Sequence, residues 1–115
     1  MKRSRMMTAS VVLGVLATTG PTSAFDCRKA TQTDEFAICQ NCDLRVLDEK
    51  MATLYGVLTQ LVGMGQRGQI RDDQKAWLQR RQRCGEDVDC LFDAYEIRIA
   101  ELEGGLKRIY QGGPY

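Results

Sequence analysis

The chain contains no histidine, and this absence restricts the chemistry that it could perform. Histidine is the side chain that most often transfers protons near neutral pH, activates a serine or cysteine nucleophile, and binds catalytic zinc. With these routes closed, we expect a binding protein rather than an enzyme. At 115 residues, the chain has room for one small domain.

The chain also lacks an uninterrupted apolar run long enough to span a membrane. Its longest uncharged stretch is interrupted by polar residues. It covers residues 6–24, follows three basic residues among the first five, and has its strongest apolar run at 11–17. An uncleaved membrane anchor is the alternative, but a spanning helix needs about 20 apolar residues. A basic start, a short apolar run and small residues at Thr22 and Ala24 are typical of a secretory signal peptide. We expect cleavage after Ala24 and a periplasmic or secreted mature domain of residues 25–115, without a membrane span.

The positive net charge of the full chain, +1, comes from the predicted signal peptide. Removing residues 1–24 takes three basic and no acidic residues from totals of 16 and 15, which leaves 13 basic residues, 15 acidic residues and a net charge of −2. A slightly acidic exported domain argues against a nucleic-acid partner. The only run of basic residues in the mature chain, at 80–83, is interpreted as a solvated helix face.

Apolar residues recur at three- and four-residue steps throughout the mature chain, and no stretch alternates long enough to indicate a strand. We therefore expect an all-α fold, a small antiparallel helical bundle of three main helices plus a short N-terminal helix. The predicted helices cover residues 33–40, 43–62, 70–83 and 88–110.

Local residues predict how these helices begin, end and pack. Three glycines within residues 63–68 predict a flexible turn. The pair Gly104 and Gly105 lies inside the fourth helix and predicts fraying or a bend. In the short first helix, Phe36 and Cys39 are expected to form the inner face.

Five cysteines in so short an exported chain favour disulfide bonds. Proximity along the chain favours the pairs Cys27–Cys39 and Cys84–Cys90, although four cysteines allow three pairings. Cys42 is then left unpaired, or it joins a second copy of the chain in a homodimer.

Two other uses of the cysteines compete with this pairing. Cys39 and Cys42 form a C-x-x-C sequence, which could be a redox pair or, with Cys84 and Cys90, a zinc site. A thioredoxin-like pair requires a preceding strand, and zinc requires reduced thiolates, which an oxidising compartment disfavours. Both remain alternatives to the disulfide frame.

A pattern of cysteine, aromatic and charged residues runs through nearly the whole mature chain. It comprises Phe25, Asp26, Cys27 and Cys39, then Leu44, Leu47, Asp48 and Tyr55, then Gln74, Trp77, Leu78, Arg81 and Cys84, then Cys90, Leu91, Tyr95, Arg98, Ile99 and Leu102. This pattern resembles the LprI family of bacterial lysozyme-inhibitor-type proteins. The resemblance implies an exported, helical, disulfide-containing domain, and the family's named function is lysozyme inhibition by a mycobacterial lipoprotein member. The chain departs from the family in lacking a lipid-attachment cysteine and in having Cys42 where a non-cysteine loop residue is usual.

Four residues of this pattern are expected to be structural. Trp77 lies at the centre of the third predicted helix and suits the core, where its indole can find a hydrogen-bond partner. Arg81 is expected to stack or to pair with a carboxylate such as Asp48. Tyr95 and Arg98 are expected to act similarly on the fourth helix.

One acidic segment is a candidate partner-binding surface. Glu86, Asp87 and Asp89 lie between Cys84 and Cys90, so that a disulfide would hold them in a rigid turn. Lysozymes are generally cationic, and such a turn would attract them by complementary charge. The alternative is an ordinary helix start, in which Asp87 or Asp89 caps the fourth helix.

Together these features predict an exported protein-binding module without catalytic residues, cofactor or metal. Lysozyme or another wall-degrading hydrolase is the expected partner. The first alternative is a structural or stress-related envelope protein with an unknown partner, or with a second copy as partner through Cys42. The second alternative is the zinc or thiol-redox module.

Overall fold

The computed structural model describes residues 26–112 and the single residue Gly14, so the predicted signal peptide lies, apart from Gly14, outside the described residues. A 3-10 turn at Cys27–Lys29 precedes the helices. The described residues form no strand, which confirms the all-α prediction. The four helices are α1 (Thr33–Gln40), α2 (Cys42–Leu61), α3 (Met64–Cys84) and α4 (Val88–Gly112).

The three long helices form an up-down-up bundle. Trp77 and Ile70 of α3 contact Ala94 and Arg98 of α4, respectively, so these consecutive helices are antiparallel. The first and third long helices, α2 and α4, are parallel and pack most extensively against each other. Helix α1 lies across one end of the bundle, where it contacts all three long helices.

The core is an apolar stripe shared by α2 and α4 and closed by α3. Trp77 is 2% exposed, and its indole Nε1 donates a hydrogen bond of 2.8 Å to the backbone oxygen of Ala94. Its ring meets that of Tyr95 edge-on, with centroids 5.1 Å apart. The structure therefore places Trp77 in the core, as expected. The remaining buried apolar residues are Ile38, Leu44, Met51, Leu58, Cys84, Leu91, Ala94, Ile99 and Leu102.

The predicted glycine-rich turn between α2 and α3 is wrong. Helix α3 begins at Met64, and only Val62 and Gly63 connect it to α2. The guanidinium of Arg67 reaches back to α2, where its Nε donates to the Thr59 oxygen at 2.7 Å and its second nitrogen donates to the Val62 oxygen at 3.0 Å. These bonds satisfy carbonyl groups that the end of a helix leaves unpaired. An interaction between helices thus outweighs the low helix propensity of the glycines.

The predicted inner face of α1 is also partly wrong. Phe36 is 50% exposed, whereas Asp34 and Ile38 are each 1% exposed. Cys39 is half-buried and bonded to Cys27. Asp34 and Ile38 are four residues apart and so share a face of the helix. The orientation of α1 is set by Asp34, which pairs with a buried arginine of α3.

The fraying expected at Gly104 and Gly105 is absent, because α4 continues through both residues to Gly112. Gly105 is buried against Leu58 of α2, and a Cβ added at Gly105 would lie 2.9 Å from the Leu58 Cδ2 atom. The missing side chain therefore allows α2 and α4 to approach closely.

Alanine substitutions at the two glycines should have opposite effects. In Gly104→Ala, the nearest atom to the new Cβ is Arg108 NH1 at 3.6 Å, so the methyl group fits. Because alanine has a higher helix propensity than glycine, this substitution should raise the free energy of unfolding by up to about 1 kcal/mol. Gly105→Ala must displace the buried Leu58 side chain, and overpacking of this kind costs about 1–3 kcal/mol. Urea unfolding of both variants measures the difference. Equal stabilisation by the two substitutions would contradict the proposed close approach.

Candidate functional site

The structure contains both expected disulfides. Cys27 is bonded to Cys39 and Cys84 to Cys90, with Cα–Cα distances of 5.8 and 5.5 Å. Cys42 is free and exposed. Because Cys39, Cys84 and Cys90 are all oxidised, the redox pair and the zinc site that were considered from the sequence do not form in this structure.

The Cys84–Cys90 disulfide closes a short turn between α3 and α4. Gly85 follows α3 with a φ of 57°, a left-handed conformation that favours glycine, and its backbone NH donates to the oxygen of Gln82 at 3.0 Å. The backbone NH of Asp87 donates to the Cys84 oxygen at 3.1 Å. Backbone hydrogen bonds and a covalent link therefore both constrain this turn.

The three acidic side chains of the turn are all exposed. Asp87 caps α4, since its Oδ1 accepts a hydrogen bond of 3.1 Å from the backbone NH of Cys90. The capping role that was the alternative interpretation is thus confirmed for Asp87. Glu86 and Asp89 make no side-chain hydrogen bond or ion pair with any described residue. We name Glu86, Asp87 and Asp89 the acidic turn.

A buried polar cluster joins all four helices near the same end of the bundle. Arg81 of α3 donates through Nε to Asp34 Oδ2 at 2.8 Å, and its NH1 donates to the Tyr95 hydroxyl oxygen at 3.3 Å. The same NH1 lies 3.8 Å from Asp48 Oδ1, to which the Tyr95 hydroxyl donates at 2.7 Å. Each of the four residues is at most 5% exposed. We call Asp34, Asp48, Arg81 and Tyr95 the Arg81 cluster.

Arg81 is an exception within the basic run at 80–83, which was expected to be a solvated face. Arg80 and Arg83 are exposed, as a solvated face requires, but Arg81 is buried. Its guanidinium lies 5.6 Å from the centroid of the Trp77 ring as well as beside the two carboxylates. The expected pairing of Arg81 with a carboxylate is therefore present, and Asp34 makes the shorter contact.

Burial sets the ionisation of the Arg81 cluster. It raises the pKa of Asp48, and the hydrogen bond from Tyr95 and the charge of Arg81 oppose this shift only in part. Burial and the neighbouring Asp48 carboxylate also raise the pKa of Tyr95, so its hydroxyl keeps the proton that it donates. Every buried side-chain nitrogen and oxygen in the described residues has a hydrogen-bond partner. The cluster thus holds helices together and presents no free group to a substrate.

Arg98 has a comparable structural environment nearer the other end of the bundle. It is 3% exposed, and its Nε donates to Gln74 Oε1 at 2.9 Å. Its NH1 pairs with Glu101 at 3.0 Å, while NH2 reaches the backbone oxygen of Ile70 at 3.4 Å. Arg98 therefore ties α3 to α4. Among the predicted site residues within residues 26–112, the accessible side chains are those of the acidic turn and of Cys42.

Sequence reasoning missed Asp34 as a partner of Arg81. The two residues are 47 positions apart, so no local pattern joins them. The available signal was the spacing of Asp34 and Ile38, which puts an acidic residue on the apolar side of α1.

Comparison of the chain with known protein families, curated proteins and solved structures gave no match. Within residues 26–112, no helix is both long and apolar enough to cross a membrane. The same residues contain no group of three or more side chains placed to hold a metal ion.

The contribution of Asp48 to the free energy of unfolding should be larger in mild acid than at neutral pH. Because its pKa is raised above the ordinary value of 3.8, the folded state keeps a proton that the unfolded state has lost. This contribution is fully present below pH 3.8 and is lost as the pH rises through the raised pKa. Relative to Asp48→Asn, the wild-type free energy of unfolding should therefore increase as the pH is lowered from about 7 to about 4.

Urea unfolding of both proteins across this pH range measures the effect. The variant keeps a side-chain oxygen that can accept the Tyr95 hydrogen bond, so it removes the titration with little change in shape. A difference between the two proteins that does not vary with pH would contradict the raised pKa.

Proposed function

We propose that the protein is an exported protein-binding module that inhibits lysozyme or another wall-degrading hydrolase. The observation that carries this proposal is the acidic turn, in which three exposed carboxylates are held by a disulfide at the corner between α3 and α4. The resemblance of the chain to the LprI family supports the same partner.

Charge and rigidity make this turn suitable for binding a cationic enzyme. Opposite charges on two surfaces accelerate encounter and select the partner. A segment already ordered by the Cys84–Cys90 bond loses little conformational freedom on binding, so less of the interaction energy is spent on ordering it. The capping bond of Asp87 uses one carboxylate oxygen and leaves the negative charge in place.

The same turn is poorly suited to catalysis. Carboxylates that act as general acids are usually buried, because burial keeps the proton on them at neutral pH. Glu86, Asp87 and Asp89 are all exposed. We therefore propose binding, and not bond cleavage, as the activity.

The cysteine chemistry supports export. Disulfides persist in secreted and periplasmic proteins and are rare in reducing compartments. Two of them occur in the described residues, and the leader predicted at residues 1–24 would direct the chain to such a compartment.

Neutralising the acidic turn should weaken inhibition of a cationic lysozyme. The triple variant Glu86→Gln, Asp87→Asn and Asp89→Asn removes three charges, and asparagine at 87 can still cap α4. The turbidity loss of a cell-wall suspension measures lysozyme activity. We expect wild-type protein to slow this loss, the variant to need at least tenfold more protein for equal inhibition, and added salt to weaken the wild-type effect.

A matched variant separates the acidic turn from net charge. Glu49→Gln, Asp72→Asn and Glu96→Gln remove the same number of charges from other exposed positions and should leave inhibition unchanged. Equal weakening by both triple variants would show that only overall charge matters. No inhibition of any lysozyme class at high micromolar wild-type protein would overturn the proposal.

The exposure of Cys42 favours a second candidate function, a structural envelope protein that forms disulfide-linked dimers. Cys42 is the first residue of α2 and is the free cysteine among the described residues. Oxidised protein should then migrate as a dimer in non-reducing electrophoresis and as a monomer after reduction or with Cys42→Ser. A monomer with one titratable thiol per chain would contradict this function.

A further inference from the structure

The end of the bundle away from α1 contains an open cleft of about 780 Å³ between the end of α2, the first half of α3 and the second half of α4. Helix α1 has 8 residues and α2 has 20, so α1 covers the long helices over only part of their length. The uncovered part is where the cleft lies. Its apolar lining residues are Leu58, Leu61, Val62, Ile70, Leu102 and Ile109.

The surface around the cleft also has two exposed apolar side chains. Leu61 ends α2 and is 58% exposed, and Met64 begins α3 and is 86% exposed. We call these two residues the Leu61–Met64 corner. Adjacent exposed apolar side chains of this kind mark interaction surfaces, and methionine adapts readily to an irregular recess. The same surface thus carries a recess and an apolar group suited to fill one.

Each of two walls of the cleft carries one charged side chain that has no ion pair among residues 26–112, and these two charges are opposite. Asp73, on the α3 wall, accepts a hydrogen bond from Gln69 at 2.9 Å but makes no ion pair with the described residues. Arg108, on the α4 wall, has its guanidinium beside Gly104 and Gly105. Its NH1 lies 3.6 Å from the position that a Cβ of Gly104 would occupy. It too makes no ion pair within residues 26–112.

We propose that this cleft binds the same cleft of a second copy in a two-fold dimer. In such an interface one surface patch must be complementary to itself. Each Leu61–Met64 corner would enter the partner's recess, and Asp73 would face the partner's Arg108, in both directions. The cleft also balances its charges, with Asp73 and Glu101 against Arg98 and Arg108, which suits a second copy better than a strongly charged partner. This dimer depends neither on Cys42 nor on hydrolase binding.

Sedimentation velocity across a concentration series tests the proposal, with Cys42→Ser as the background so that no disulfide can link two chains. We expect a reversible dimer. Adding Met64→Asp should raise its dissociation constant at least tenfold. Val46→Asp is the matched control, because Val46 is 66% exposed but lies near the start of α2, and it should leave the dissociation constant unchanged. Helical circular dichroism shows that each variant is folded.

Charge reversal tests the two-fold arrangement directly. Asp73→Arg alone and Arg108→Asp alone should each weaken the dimer at least tenfold, and the two together should restore it. A double variant as weak as the single ones would overturn the arrangement. A monomer at every concentration up to about 1 mM, or equal weakening by Met64→Asp and Val46→Asp, would overturn the second copy as occupant of the cleft.

Discussion

The structure depends on the burial of one guanidinium between two carboxylates. Arg81 pairs with Asp34 and lies beside Asp48, while Tyr95 bridges Arg81 to Asp48, so each helix contributes one residue. Removing one partner from a buried charge pair generally costs about 3–5 kcal/mol, because the remaining charge stays buried without compensation. Apolar replacement of a whole cluster is often neutral. Arrangements of the helices that separate these four residues are therefore destabilised. Helix α1 has eight residues, so its position depends on the cluster more than that of the long helices does.

The features that the sequence predicts most reliably are those with a repeated pattern of apolar residues or with contacts between residues close along the chain. The apolar stripes of α2 and α4 extend over 20 and 25 residues, so their positions are predicted almost to the residue. The disulfides join cysteines 12 and 6 residues apart, and the Asp87 cap lies within one turn of helix. Where the prediction is wrong, the deciding contact joins two different helices, so the residue pattern of one helix does not show it. Arg67 must reach back to α2 for α3 to start early, and Asp34 of α1 pairs with Arg81 of α3, 47 positions away.

The Arg81 cluster also determines how the candidate binding surface is presented. Arg81 and Cys84 are three residues apart on α3, so the cluster and the Cys84–Cys90 disulfide hold the same last turn of that helix. On the α4 side, the Asp87 cap and the buried Tyr95 order the first two turns. The backbone of the acidic turn is therefore held between two anchored helix ends. This is the preorganisation that a small binding surface needs.

The two ends of the bundle differ in what they leave uncovered. At one end, α1 and the Arg81 cluster fill the interior and the acidic turn remains outside. At the other, the cleft leaves apolar surface exposed. Helix α3 has 21 residues, so its rise separates the start of the cleft wall from the acidic turn by about 30 Å. A dimer formed through the cleft would therefore leave both acidic turns accessible. Such a dimer could engage two hydrolase molecules, or two sites on one surface, and the second case would increase apparent affinity without any new contact.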